Sequence, residues 1–191
     1  MRKKLLLLSF LLITPSASNY ADEPFFTYIG PTIGGGFNKI EYTDWLIDRR
    51  STKDVTGNYL CGGFIIDIII KRVIGEFSIQ YIYNNNSSTP DISVQHFIYT
   101  ALGKYSYSLR DDLSLTSGLG LYLETPPANR GYDGGGGYII SIGTIYRMSW
   151  DWNIIIDLIG TYGHFGIGEV GTNTKLSSGI RFGLVYKIGR I

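Results

Sequence analysis

Residues 113–124 read LSLTSGLGLYLE. Leu113, Leu115, Leu119, Leu121 and Leu123 share one parity. Ser114, Thr116, Gly118, Gly120, Tyr122 and Glu124 share the other. A period of two belongs to a β-strand with one apolar and one polar face. No other feature constrains the fold as much, because the leucine face must meet either a protein core or lipid.

The same alternation recurs in eight segments: residues 24–37, 59–71, 74–83, 92–109, 113–124, 137–148, 152–163 and 175–189. In the first, Phe25, Ile29, Ile33 and Phe37 oppose Tyr28, Gly30, Thr32, Gly34 and Gly36. Pro31 cannot donate to a ladder, which predicts a bulge there. In the second, Leu60, Phe64, Ile66, Ile68 and Ile70 oppose Cys61, Gly63, Ile65, Asp67, Ile69 and Lys71. In the fourth, Ile98 and Leu102 interrupt an otherwise polar face. Long polar stretches (38–58, 84–91, 125–136 and 164–174) separate the segments in turn with short ones around Arg72, Arg110–Asp112 and Ser149–Asp151. Long and short connections in alternation predict an antiparallel meander. Strands of this length match those that cross a bilayer, which need about 9–11 residues.

Arg2, Lys3 and Lys4 precede the apolar run LLLLSFLLI, with the small residues Ser16 and Ser18 after it. That is the layout of a cleaved secretory signal peptide, here assigned to residues 1–18, with residues 19–191 as one barrel domain. Without those 18 residues the chain carries 14 basic against 16 acidic residues, a net charge of −2 with no basic patch for nucleic acid. Cys61 is the sole cysteine, so no intrachain disulfide can form. No window past the signal has the 18 or more unbroken apolar residues of a transmembrane helix.

Three features send the apolar face to lipid. With odd segments running up and even ones down, Phe25, Tyr105, Tyr107, Tyr146, Trp152 and Tyr186 fall at the lower level. Phe37, Tyr81, Tyr83, Phe97, Tyr138 and Tyr162 fall at the upper one. Two aromatic girdles around an aliphatic band fit the two interfaces of a membrane. The polar faces are rich in Gly, Ser and Thr, as a narrow interior requires; Gly alone is 25 of 191 residues, well above the usual ~7%. Finally, the polar faces carry charges of both signs, namely Asp67, Lys71, Glu76, Lys104, Arg147, Asp157, Arg181 and Lys187. Charges inside a narrow barrel must be paired, so these eight are the expected lumen network, the alternative being that some are simply solvated near the rims. Lys71 is expected to meet Glu76 across one turn, and Asp157 to meet Arg181 on neighbouring strands. The expected fold is all-β, an eight-stranded antiparallel up-and-down transmembrane β-barrel.

With its signal peptide, four long loops, three short turns and last strand GIRFGLVYKIG, the chain resembles the small eight-stranded outer-membrane barrels of the OmpX/OmpA/OmpW type over residues 24–189. The resemblance implies the outer membrane of a diderm bacterium, contact with its lipid, and insertion by the barrel-assembly machinery. The final strand departs from the family's usual terminal Phe, ending its alternation at Ile188.

Chemistry is sparse. His96 and His164 have no metal-ligand spacing with Cys61 or the acids, which predicts no metal and no cofactor. Some barrels of this size are lipid A deacylases with a His-x-Ser pair. Here the stretch is His164-Phe165-Gly166, with Gly in the nucleophile's place, so no catalytic residue is assigned and the chain is read as no enzyme. DGGGGY at 133–138 has no helix after it to complete a phosphate loop. The first long loop places Tyr42, Trp45, Arg49 and Arg50 together, residue types favoured as binding anchors; the same aromatics would equally pack a loop onto a rim. Two functions remain open. One is a structural or adhesive surface protein whose loops bind a host or envelope protein. The other is a narrow porin-like channel or conduit for small apolar solutes.

Overall fold

The structure, a computed structural model, describes residues 25–44, 51–85, 95–125, 132–167 and 172–190. The expected leader at 1–18 lies outside these residues. The described residues form eight strands: β1 (Phe26–Asp44), β2 (Ser51–Ile70), β3 (Val73–Asn85), β4 (Gln95–Ser108), β5 (Leu113–Glu124), β6 (Tyr132–Arg147), β7 (Trp152–Ile167) and β8 (Thr172–Arg190). Each pairs antiparallel with the next, and β8 pairs with β1 to close a barrel. Closure matters because an open edge would leave N–H and C=O groups unpaired in lipid.

The alternation predicts which way each side chain points. Leu119, Leu121 and Leu123 face outward, Leu119 with 67% of its surface exposed, while Thr116 and Tyr122 are buried inside. The other strands follow: Ile33, Phe64, Phe77, Ile140, Leu158 and Phe182 are exposed on the outside, and Thr32, Ser78, Thr100, Ser141 and Ser177 are buried. An apolar band around a closed barrel with a polar interior is the design of a transmembrane β-barrel of the outer-membrane type. The aromatic levels form as expected. Tyr81 packs edge-on against Phe97 at 5.3 Å and Tyr138 lies opposite Tyr162 at the loop end, while Trp152 meets Tyr186 at 4.9 Å at the turn end.

Following register partners once round the barrel, from Tyr28 through Asp67, Glu76, Leu102, Gly120, Ile139, Thr161 and Ser177, returns to β1 at Asn38, ten residues further along. With strands ~4.8 Å apart and rising ~3.3 Å per residue, that stagger tilts them by about 40°.

Three expectations need correction. The irregularity in β1 lies between Thr27 and Tyr28, not at Pro31, which stays in register with Phe64 and points outward. Phe25, expected on the outward row, is half-buried and precedes the strand, and Phe26 packs against the buried cluster of Tyr28, Ile65, Ile155 and Val185. The first long polar stretch, 38–58, is also mostly strand. β1 and β2 stay paired out to Asp44 and Ser51, far beyond the 9–11 residues that cross a membrane. Once above the bilayer the outer face meets water, so the ladder continues without an apolar outer row. Lys39 and Glu41, for instance, form an outer ion pair at 3.0 Å.

Candidate functional site: the filled lumen

Five of the eight expected lumen charges converge at mid-barrel. Each reaches the interior by the parity of its strand: Asp67 on β2, Glu76 on β3, Lys104 on β4, Asp157 on β7 and Arg181 on β8, all buried. Arg181 Nη2 donates to Glu76 Oε1 at 2.6 Å and to Asp157 Oδ2 at 2.5 Å. Lys104 Nζ lies 2.5 Å from Glu76 Oε2 and donates to both Asp157 oxygens at 2.9 and 3.1 Å. Both cations thus touch both carboxylates, closing a ring. Since β3 and β4 stand across the barrel from β7 and β8, the ring ties opposite walls together.

The expected Asp157–Arg181 pair forms, between residues directly opposite in the β7–β8 ladder. The expected Lys71–Glu76 pair is replaced. Lys71 occupies the β2–β3 turn with φ of 55° and is exposed, while Glu76 points inward at full burial. Asp67, not Lys71, is opposite Glu76. Asp67 is 2% exposed, and its Oδ1 meets no hydrogen-bond partner among the described residues. Arg147 and Lys187 also stay out of the ring, at the turn end of the barrel; Lys187 Nζ sits 4.1 Å from the Phe26 ring centroid.

Glycine makes the room this ring needs. A Cβ at Gly143 would collide with the Asp157 carboxylate, and one at Gly118 with the Lys104 stem. Small residues on the inner face are therefore specific seats for large charged neighbours.

Apolar residues close the lumen on either side. On the turn side of Asp157 and Arg181, Tyr28, Ile65, Ile155 and Val185 form one buried cluster. On the loop side of Lys104, Leu102, Tyr122 and Ile139 form another, with Ile98 packed against it. Further up, Lys175 Nζ donates to Glu124 Oε1 at 2.7 Å, and His96 Nε2 lies 3.6 Å from Glu124 Oε2. A cavity of about 40 Å³ touches both Arg181 and Lys175. That is room for a few waters.

The upper charge cluster and the apolar plugs are what reading the sequence missed. Glu124 shares the parity of Tyr122, and Lys175 that of Arg181, so parity alone places both inside. Ile98 and Leu102, noted as exceptions to a polar face, were the visible part of the plug.

Of the loop candidates, Tyr42 lies on β1 opposite Lys53 in register; Trp45, Arg49 and Arg50 lie outside the described residues. His164 is exposed near the loop end, its Nδ1 at 3.5 Å from Thr174 Oγ1. Among the described residues no three His, Cys, Asp or Glu side chains are grouped to hold a metal.

No protein-family model and no curated protein sequence matches the chain. Solved structures of small barrels do. Neisserial surface protein A matches at 16% identity over 81% of this chain and 95% of its own, with a TM-score of 0.45. OprG from Pseudomonas aeruginosa matches at 12% over 86% and 95%, with a TM-score of 0.41. Ail of Yersinia pestis, in complex with the heparin analogue sucrose octasulfate, matches at 14% over 85% and 99%, with a TM-score of 0.40. Identity at this level leaves function to be read from this chain's own residues.

Proposed function

We propose that this chain is an outer-membrane surface protein whose barrel is a solid stand for its loop-end structures. The filled lumen is the observation that carries this reading. A charge ring spans the lumen at mid-depth with a buried apolar cluster on its turn side, so among the described residues ions and solutes meet no open path. A channel would need that space open.

What the stand holds up is the β1–β2 hairpin, paired well beyond bilayer thickness. Tyr42 lies on β1, and Trp45, Arg49 and Arg50 belong to the sequence that joins β1 to β2. Aromatic and arginine anchors on a raised, tied-down scaffold suit capture of a host or envelope protein. The test compares cells displaying the full chain with cells displaying a chain that lacks residues 42–52. Equal amounts of folded barrel with reduced adherence to host cells and matrix proteins support the reading. Unchanged adherence on deletion, or a full chain that adheres no better than cells without the protein, counts against it.

A further inference from the structure

Asp67 and Glu76 stand opposite each other in the β2–β3 ladder, and both are buried in the lumen. Residues directly opposite on one face of a sheet lie about 5 Å apart at Cβ. Two carboxylates that close in a buried site do not both stay ionised unless cations neutralise each of them. Glu76 has its cations, Arg181 on one oxygen and Lys104 on the other. Asp157 has the same two. Asp67 makes no such contact, and its Oδ1 meets no hydrogen-bond partner among the described residues. The charges of Glu76, Asp157, Lys104 and Arg181 act on it only at longer range.

The charge count shows what the centre lacks. Among the described residues it holds three carboxylates, Asp67, Glu76 and Asp157, against two cations, Lys104 and Arg181. One negative charge is left over. The surrounding elements do not balance it. β1 sets Tyr28 opposite Asp67, Lys71 beyond the end of β2 is exposed in the turn, and Lys175 further up the lumen is held by Glu124 at 2.7 Å. A metal ion fits poorly, because among the described residues no three acidic, His or Cys side chains are grouped to hold one. Neither the cavity at Arg181 nor the hollow at the turn end is lined by Asp67. A proton needs no cavity. Neutral hydrogen-bond partners would not serve, since they leave the charge in place.

We infer that the ring binds one proton and that Asp67 carries it as a neutral carboxylic acid. The carboxyl O–H then faces Glu76 across the ladder, and the charges of the ring cancel. Losing the proton sets two ionised carboxylates side by side, so the barrel responds to pH. In the unfolded chain an aspartic acid ionises at about 3.9. Folding therefore takes up a proton at neutral pH, and stability falls as pH rises until the folded barrel releases it.

The full chain is refolded in a maltoside detergent, which has no carbonyl group, and its infrared spectrum is recorded from mildly acidic to alkaline pH. The expected result is one carbonyl stretch of a neutral carboxyl, shifted by exchange into heavy water, weakened at alkaline pH and missing in Asp67→Asn. Carbon-13 at the aspartate carboxyls should move the same band in the wild type, a readout that does not require the variant to fold. Urea unfolding in lipid vesicles over the same pH range gives a second readout. The wild-type folding constant should fall as pH rises, by at most about tenfold per pH unit for one proton, while that of Asp67→Asn changes less. Absence of an aspartate carbonyl band, or equal pH dependence in the two proteins, overturns the inference. Stability that follows sodium concentration and not pH overturns it in favour of a bound metal ion.

Discussion

Arg181 on β8 reaches across the lumen to Glu76 on β3, Nη2 to Oε1 at 2.6 Å, although 105 residues separate them in sequence. Both side chains are buried, so each depends on the other for its charge to be tolerated. Arg181→Met would leave Glu76 and Asp157 short of their shared guanidinium. A cost of about 3–5 kcal/mol is expected on urea unfolding in lipid vesicles. Replacing Glu76, Lys104, Asp157 and Arg181 together with apolar residues of similar volume should cost less than that single change. A larger loss in the quadruple variant would show that the ring contributes net stability.

Asp67 is a third carboxylate beside the buried cations Lys104 and Arg181. Its Oδ1 has no hydrogen-bond partner among the described residues, and Glu76 is directly across the ladder. Asp67→Asn removes the surplus negative charge with little change of shape. It is expected to leave stability at pH 7 unchanged or raise it, where Glu76→Gln lowers it. The same unfolding assay gives both signs, and a loss at Asp67 as large as at Glu76 would refute the asymmetry.

Gly143 and Gly103 make a matched pair. A methyl at Gly143 would strike the Asp157 carboxylate and the Ile156 carbonyl, while one at Gly103 would meet nothing within 4 Å. Gly143→Ala should cost about 1–3 kcal/mol. Gly103→Ala, on the lipid side, should be close to neutral. Comparable melting temperatures for the two variants would mean that the inner glycines are not seats for charge.

The strands, their number and their facing were legible in the sequence because a period of two assigns every residue in a strand to one face. Leu119 and Thr116 needed nothing more. The Asp157–Arg181 pair was legible for the same reason, since neighbouring strands place equal parities side by side. Glu76's partners were not, because a barrel brings β3 opposite β8 only after closure and stagger are set, and alternation encodes neither. Strand ends were misread at 38–58 for a different reason. Above the membrane the outer face no longer has to be apolar, so the strand continues while its signal stops. The shift at Thr27 and Tyr28 left no mark in the pattern, whereas Pro31, which suggested one, sits in register.

Leu119 tests the outward face. At 67% exposure it lies in the apolar band, where Leu119→Arg should cost about 2–4 kcal/mol near the bilayer midplane. Folding yield into vesicles, read from the heat-modified gel shift, should fall accordingly. An unimpaired yield would place this residue outside the hydrocarbon layer.

The central claim is that the lumen is filled, and planar-bilayer recording of the refolded chain tests it most directly. The wild-type barrel is expected to give no steady single-channel openings. Reproducible wild-type openings of one conductance would contradict the account and make this barrel a channel.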